Sequence, residues 1–280
     1  MKIKYVRSAG AVVFLAGLWV ALSQQPAELT VTKVADDLHV IVGSGGNVAV
    51  YTTEEGVILV DDKFEQNVPQ ILEKVSGLSS KPVKYVLNTH QHGDHTGGNA
   101  KLLGHGADVI AHENARANMD RGKMPGLPRV TFTESAGVHL GGKQVKAWHW
   151  GAGHTNGDAV IQFPALRTIH TGDLFVAGRP FIDYSSGGSG AAWVKTLDAV
   201  LKLDFDTVIP GHGPVMKKAD LAEWRKSFAT VQSRLLELKR QGKTEQEAGG
   251  LLRFDDLPRW ESASRLWERS YAGLWRELER

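Results

Sequence analysis

The sequence has no cysteine among its 280 residues. This excludes disulfides, thiolate ligands, a cysteine nucleophile and a lipidated cysteine anchor. It also has no low-complexity tract, no short repeat and no basic run. With a formal net charge of only +2, nothing suggests a nucleic-acid surface. The apolar stretch from Ala9 to Leu22 is 14 residues long, short of the roughly 20 that span a bilayer. It follows Lys2, Lys4 and Arg7, and the small residues Ala21 and Ser23 stand about its end. That pattern reads as an export signal over residues 1–23, with an uncleaved membrane anchor as the minor alternative. Its removal takes two lysines, one arginine and no acid, moving the net charge from +2 to −1. The expected location is periplasmic or secreted. Without disulfides, such a protein must rely on its core or on a bound ligand for stability.

What is present is a globular composition, 42% hydrophobic and 23% charged. "LHVIVGSGGNVAVYTTEEGVILVDD" holds three Val/Ile-rich runs separated by turns, as in a β-meander. Val68, Ile71, Leu72 and Val75 have helical spacing, and "VKYVLNTH" and "GADVIAH" read as strands around another helix. Residues 112–130 are polar and are expected to form a helix and loop at a site's rim. Further strands fill 138–175, a helix covers "AAWVKTLDAVLKL", and "FDTVIPGHG" is a buried strand and turn. Two amphipathic helices follow, over Lys217–Arg240 and around Ser262–Glu279. Their tryptophans are read as packing residues. The domain expectation is a main unit over 24–216 with helices 217–280 packed on it.

The chemistry is concentrated in "NTHQHGDHTGGN", where His90, His92, Asp94 and His95 fall within six residues of a chain with only 11 histidines. Alternation on a strand directs His90 and His92 the same way. Gly93 is expected to turn the chain sharply, so that Asp94 and His95 leave in a new direction. Three further candidates stand at comparable strand ends: His154 in "GAGHTNGD", Asp173 in "IHTGDLF" and His212 in "VIPGHGP". Dispersed imidazole and carboxylate donors at strand ends point to a metal site built by the fold. Zinc suits this donor set, with iron and manganese as alternatives. His39, His105, His112, His139, His149 and His170 are read as supporting or surface residues, with His112 and His149 expected to come nearest the site. "GSGG" at 43–46 joins two strands without a following helix, so it is read as a short flexible hairpin beside the metals, not a phosphate loop. Ser185, Ser186 and Ser189 have no base near them in sequence and are not read as nucleophiles.

"HQHGDH", "GHTNGD", "TGDLF" and "PGHG" together resemble the metallo-β-lactamase-fold hydrolase superfamily, over about residues 30–216, and most closely its class-B β-lactamase-like branch. The resemblance implies an α/β fold, a four-layer αββα sandwich, here with a C-terminal helical extension. It implies that His90, His92 and His154 hold one metal and that Asp94, His95 and His212 hold a second, with Asp173 bridging. It also implies that Asp61 supports the site from behind. Two zinc ions about 3.5–4 Å apart would share a water and lower its pKa toward about 7, with Asp94 orienting it. The expected reaction is hydrolysis of an ester, thioester or amide-like bond of a small-molecule substrate, with weak or promiscuous β-lactam cleavage included.

Three departures weigh against efficient lactam cleavage. Asp173 stands where many such lactamases have a cysteine ligand. Val176 stands where they have a substrate-binding lysine, with Arg179 as the candidate substitute. The brief "GSGG" replaces their apolar flap. The alternatives are a glyoxalase II-like thioesterase, suggested by "GDLFVAGR", a mono-iron persulfide dioxygenase, and a non-catalytic periplasmic metal-binding accessory protein. Substrate-gripping residues are expected in 112–130 and 176–190.

Overall fold

The computed structural model describes residues 28–260 and 265–278; the expected export signal lies outside them. The Val/Ile-rich runs form strands β1 (Thr30–Ala35), β2 (Leu38–Val42), β3 (Val48–Thr52) and β4 (Val57–Val60) as an antiparallel meander. Strands β5 (Val83–Leu87), β6 (Asp108–His112) and β7 (Val130–Phe132) then add in parallel, giving a seven-stranded sheet in sequential order. The parallel crossovers carry helices α1 (Val68–Ser76), α2 (Gly93–Thr96), α3 (Asn99–Gly104) and α4 (Glu113–Arg121). A second, six-stranded sheet runs in the order β13-β12-β11-β10-β9-β8. Its strands are β8 (Ser135–Leu140), β9 (Lys143–Trp148), β10 (Val160–Phe163), β11 (Thr168–His170), β12 (Thr207–Ile209) and β13 (Met216–Lys217). Helix α5 (Gly190–Val200) crosses between β11 and β12, the one parallel pair of this sheet.

Alternation sorts the side chains into three apolar layers. Val40, Ala49, Ile58 and Val60 of the first sheet meet Val145, Ala147, Ile161 and Phe163 of the second, forming the core between the sheets. The opposite faces carry Ile41, Val50, Leu59 and Val86 against α1 and α3, and Val160, Ile169 and Val208 against the later helices. Three buried layers require four layers of secondary structure, so the αββα expectation stands.

The later helices are α6 (Lys218–Arg240), α7 (Glu245–Leu251) and α8 (Arg265–Glu277). The sequence reading did not find α7. The Thr244/Glu247 capping box that starts it is plain in the structure. Trp224, Trp260, Trp267 and Trp275 are buried in the layer over the second sheet, as packing residues should be. Trp193, Trp224, Phe228 and Trp260 pack in tilted and edge-to-face pairs with centroids 5.3–5.7 Å apart. Among the described residues no helix is long and apolar enough to cross a membrane.

Candidate metal centre

The seven candidate ligands converge at one end of the sandwich, all just beyond the carboxyl ends of strands. His90, His92, Asp94 and His95 follow β5, His154 follows β9, Asp173 follows β11 and His212 follows β12. Strand β5 stops at Leu87, earlier than the expected "VKYVLNTH", so His90 and His92 stand on the connecting loop. His92 caps α2 in an extended conformation. Two donor groups result: His90, His92, His154 and Asp173, and Asp94, His95 and His212, the donor atoms within each lying within 4.8 Å of one another.

The hydrogen bonds behind the rings settle which nitrogens face inward. Thr89 gives its hydroxyl proton to Asp61 Oδ2 at 2.7 Å, so its oxygen accepts from His90 Nδ1 at 3.1 Å. His92 Nε2 donates to Asp183 Oδ2 at 2.9 Å, His95 Nδ1 to Asp61 Oδ2 at 2.8 Å, and His154 Nδ1 to the Phe181 carbonyl at 2.7 Å. Each bond fixes the outer nitrogen of its ring and turns the other nitrogen inward. There His90 Nε2 lies 3.1 Å from His92 Nδ1, which lies 2.9 Å from His154 Nε2, and His95 Nε2 lies 3.3 Å from His212 Nε2. Asp173 Oδ1 is buried with no hydrogen-bond partner, 3.3 and 3.4 Å from His95 and His212 Nε2, and its Oδ2 is 3.6 Å from His154 Nε2. Ring nitrogens facing one another around an unpartnered carboxylate oxygen are a donor set that fits divalent cations.

The electrostatics agree. Burial holds the His90 ring well below the usual imidazole range and pushes His154 down to about 4, so both rings are neutral, as metal ligands must be. Burial disfavours a charged His95 as well, but Asp173 and Asp61 outweigh it and hold this ring well above its usual value. His212 is raised to about 9 by Asp173 and Asp94 against its own burial. Despite burial, Asp173 is held well below the carboxylate range by His95 and His212, and Asp94 is lowered by His212 and His95. Protons thus occupy the second group where cations would sit.

Asp61 is the hub of the support. Fully buried at φ +62°, it takes Thr89 N on one oxygen and both the Thr89 hydroxyl and His95 on the other. The Gly43–Asn47 hairpin does lie beside the centre, but it is fastened rather than loose. Gly46 N donates to Asp94 O, Asn47 N to Gly211 O, and the fully buried Lys63 Nζ to Gly46 O at 2.6 Å. A Cβ on Gly46 would fall 2.2 Å from His95 Cε1, so only glycine fits. Gly93 shows no such need: its φ is not left-handed and a Cβ there meets nothing within 4 Å. The tight approaches belong to Gly97 and Gly98, against residues 62–68 and 93.

Other expectations are corrected. His112 and His149 stack on each other, 3.8 Å between centroids, donate to Thr133 O and Asp158 O, and do not line the cavity. His170 is the supporting histidine instead: buried, it donates to Asn47 O and accepts from Gly172 N beside Asp173. Residues 112–130 brace rather than grip. Asn114 and Asn118 bond to Asn156 in the turn after His154. Asp183 was missed altogether; its signal was Asp-Tyr-Ser-Ser, an aspartate that caps the amides of the serines two and three residues on. The Ser185 and Ser189 hydroxyls donate to Asp183 and Glu277.

Above the donors opens a cavity of about 670 Å³. Its floor is His92, Asp94, His154, Asp173 and His212, and its walls include Phe64, Val176, Arg179, Phe181 and Leu266. Arg179 donates its Nε to Trp260 O at 3.0 Å and lies 3.9 Å over the Phe254 ring.

The chain is similar to several known proteins. Metallo-beta-lactamase type 2 of Bacillus cereus is 26% identical over 178 residues, covering 60% of this chain and 67% of that protein. Hydroxyacylglutathione hydrolase of Crocosphaera subtropica is 34% identical over 111 residues, 40% of each chain. The 2,4-dinitroanisole O-demethylase subunit alpha of a Nocardioides species is 28% identical, and the match spans half of its length. Among solved structures, a metallo-beta-lactamase from Pontibacter korlensis superposes with a TM-score of 0.63 at 22% identity. It is covered over 95% of its length by 69% of this chain. The FIM-1 enzyme from Pseudomonas aeruginosa, in mono-zinc form, gives 0.65 at 21% identity, with 96% of it covered by 74% of this chain. Residues 41–212 match the sequence profile of the family, from the second strand to the last candidate ligand. With that match, the four-layer sandwich and the donor cluster at its strand ends, the chain belongs to the metallo-beta-lactamase superfamily of hydrolases.

Proposed function

We propose that this chain is a binuclear zinc hydrolase acting on an ester, thioester or amide-like bond. In this reading His90, His92 and His154 hold one ion, Asp94, His95 and His212 the other, and Asp173 lies between them. The observation that carries it is the inward aim of four imidazole nitrogens, each ring fixed by a hydrogen bond behind it, around the unpartnered Asp173 oxygen. Bound there, two divalent cations would polarise a substrate carbonyl and lower the pKa of a water toward about 7. The chain's own part is positioning. Asp94 faces the cavity with an ionised carboxylate and is placed to orient an attacking water and receive its proton. Phe64, Val176 and Phe181 exclude bulk water from the reacting bond. Arg179 is the cation on the wall, available to an anionic part of the substrate.

A thioester is a substrate to assay first, because hydroxyacylglutathione hydrolases are among the relatives; a β-lactam is the other. The complete second donor group speaks against a mono-iron dioxygenase. The basic, apolar amino-terminal segment supports export to the periplasm or beyond. Metal analysis of the purified protein, with turnover of a chromogenic lactam and a thioester, tests the proposal. About two zinc ions per chain and chelator-sensitive turnover are expected. One iron per chain would move the reading to the dioxygenase, and metal without turnover to an accessory metal-binding protein.

A further inference from the structure

The family match ends at residue 212, but the chain does not stop serving the site there. Helix α8 lies against the loop that follows Asp173. Ser270, fully buried, accepts from Ile182 N at 2.8 Å while donating to Leu266 O. The Arg269 guanidinium lies 5.3 Å from the Phe181 ring, and Glu277 accepts from Tyr184 OH. Between these fastened points the loop presents Phe181 O to His154 and Asp183 to His92.

The same helix reaches the cavity itself. Leu266, in its first turn, lines the opening although it is 45% exposed, one of only four large apolar side chains so exposed among the described residues. Opposite the polar floor it completes an apolar wall with Phe64, Val176, Ala177 and Phe181. An exposed leucine at the mouth of a cavity gains burial when an apolar group of the bound molecule covers it. The solved relatives are matched almost to their full length by 69–74% of this chain, so a quarter or more of it has no counterpart in them.

We infer that Leu266 of α8 is a specificity-determining residue, and that the cavity selects esters or thioesters carrying an apolar acyl chain. The inference rests on the hydrolase reading and names the substrate class of that site. Its test compares octanoyl and acetyl thioesters of one thiol on the zinc-loaded full chain. Wild type should favour the octanoyl ester in kcat/KM, and Leu266→Asp should lower the octanoyl-to-acetyl ratio about tenfold, the usual scale for lost apolar pocket contact. Glu268→Gln, on the exposed side of α8, should leave the ratio as it is. An equal ratio in wild type and Leu266→Asp overturns the inference while leaving the hydrolase reading standing. Leu266→Ala repeats the comparison if the aspartate does not fold. Should the zinc-loaded protein cleave neither thioester nor a chromogenic lactam, the hydrolase reading falls. Calorimetry with the octanoyl and acetyl thioether analogues then decides about the wall. Weaker octanoyl binding in the variant supports it, and equal binding refutes it.

Discussion

Gly46→Ala is a single-methyl change that should separate the two donor groups. The new Cβ would stand 2.2 Å from His95 Cε1 and 2.6 Å from each ring nitrogen, where ordinary contact begins near 3.4 Å. The ring would have to retreat by more than about 1 Å, and it has nowhere to go. His95 is fully buried and its Nδ1 is already 2.8 Å from Asp61. Overpacking of this kind costs about 1–3 kcal/mol, and weakening a hydrogen bond to a charged group adds about 1.5–3 kcal/mol. A net loss of about 3 kcal/mol in a chain of this size lowers Tm by roughly 6–12 °C. Metal geometry is less forgiving, since ligand distances hold to within about 0.2 Å. Affinity at the Asp94–His95–His212 group should therefore fall about 100-fold or more, while the His90–His92–His154 group keeps its ion. Calorimetric zinc titration and elemental analysis read both quantities on one preparation. Two ions bound with wild-type affinity and an unchanged Tm would refute the reasoning. The neighbouring change Gly211→Ala places its Cβ 1.9 Å from Asp173 Oδ1 and should weaken both groups together.

Four further outcomes are expected. Asp183→Asn keeps the loop turn but offers His92 a poorer acceptor, so zinc affinity at the first group should drop about 10- to 100-fold, read by competition with a chromophoric chelator. Zinc added to metal-free protein at pH 7.5 should release about two protons, from His95 and His212, measured with a dye in weak buffer; no release would contradict the assignment. The sign for stability follows from the same ring: His212 folds with a pKa of about 9, above its unfolded value near 6.5. Its contribution to the metal-free protein is full below about pH 6.5 and is lost as pH rises through about 9, so apo Tm should be higher at pH 6.5 than at 9.5. Phe228→Ala, amid Trp193, Trp224 and Trp260, should cost about 3–5 kcal/mol in denaturant unfolding without changing metal stoichiometry.

The donor set could be found in the sequence because metal ligands need few residue types at strand ends, and "HQHGDH" packs four of them into one turn. The strands were legible for a similar reason, since burial on both faces leaves continuous Val/Ile runs. What holds the ligands in place was much less visible. Asp183 meets His92 across 91 residues and Lys63 meets Gly46 across 17, and no local spacing encodes either contact. The glycines divide the same way. Gly93, inside the motif, has open space beside it, while Gly46 and Gly211 are fixed by side chains far along the chain. Residues 112–130 were misjudged because a polar helix beside a site looks the same in sequence whether its asparagines face a substrate or the turn at Asn156.

The fastening of loop 179–190 by α8 also sets an order of assembly. Chains are made from the amino terminus at about 5–20 residues per second, so "HQHGDH" emerges early and His212 well before the end. The backbone amide of Ile182 finds its partner only when Ser270 is made. Until then Phe181 and Asp183 lack the support that lets them orient His154 and His92. The metal centre is thus among the last parts of the molecule to mature, and a nascent or clipped chain ending before α8 would carry every ligand yet grip a cation poorly.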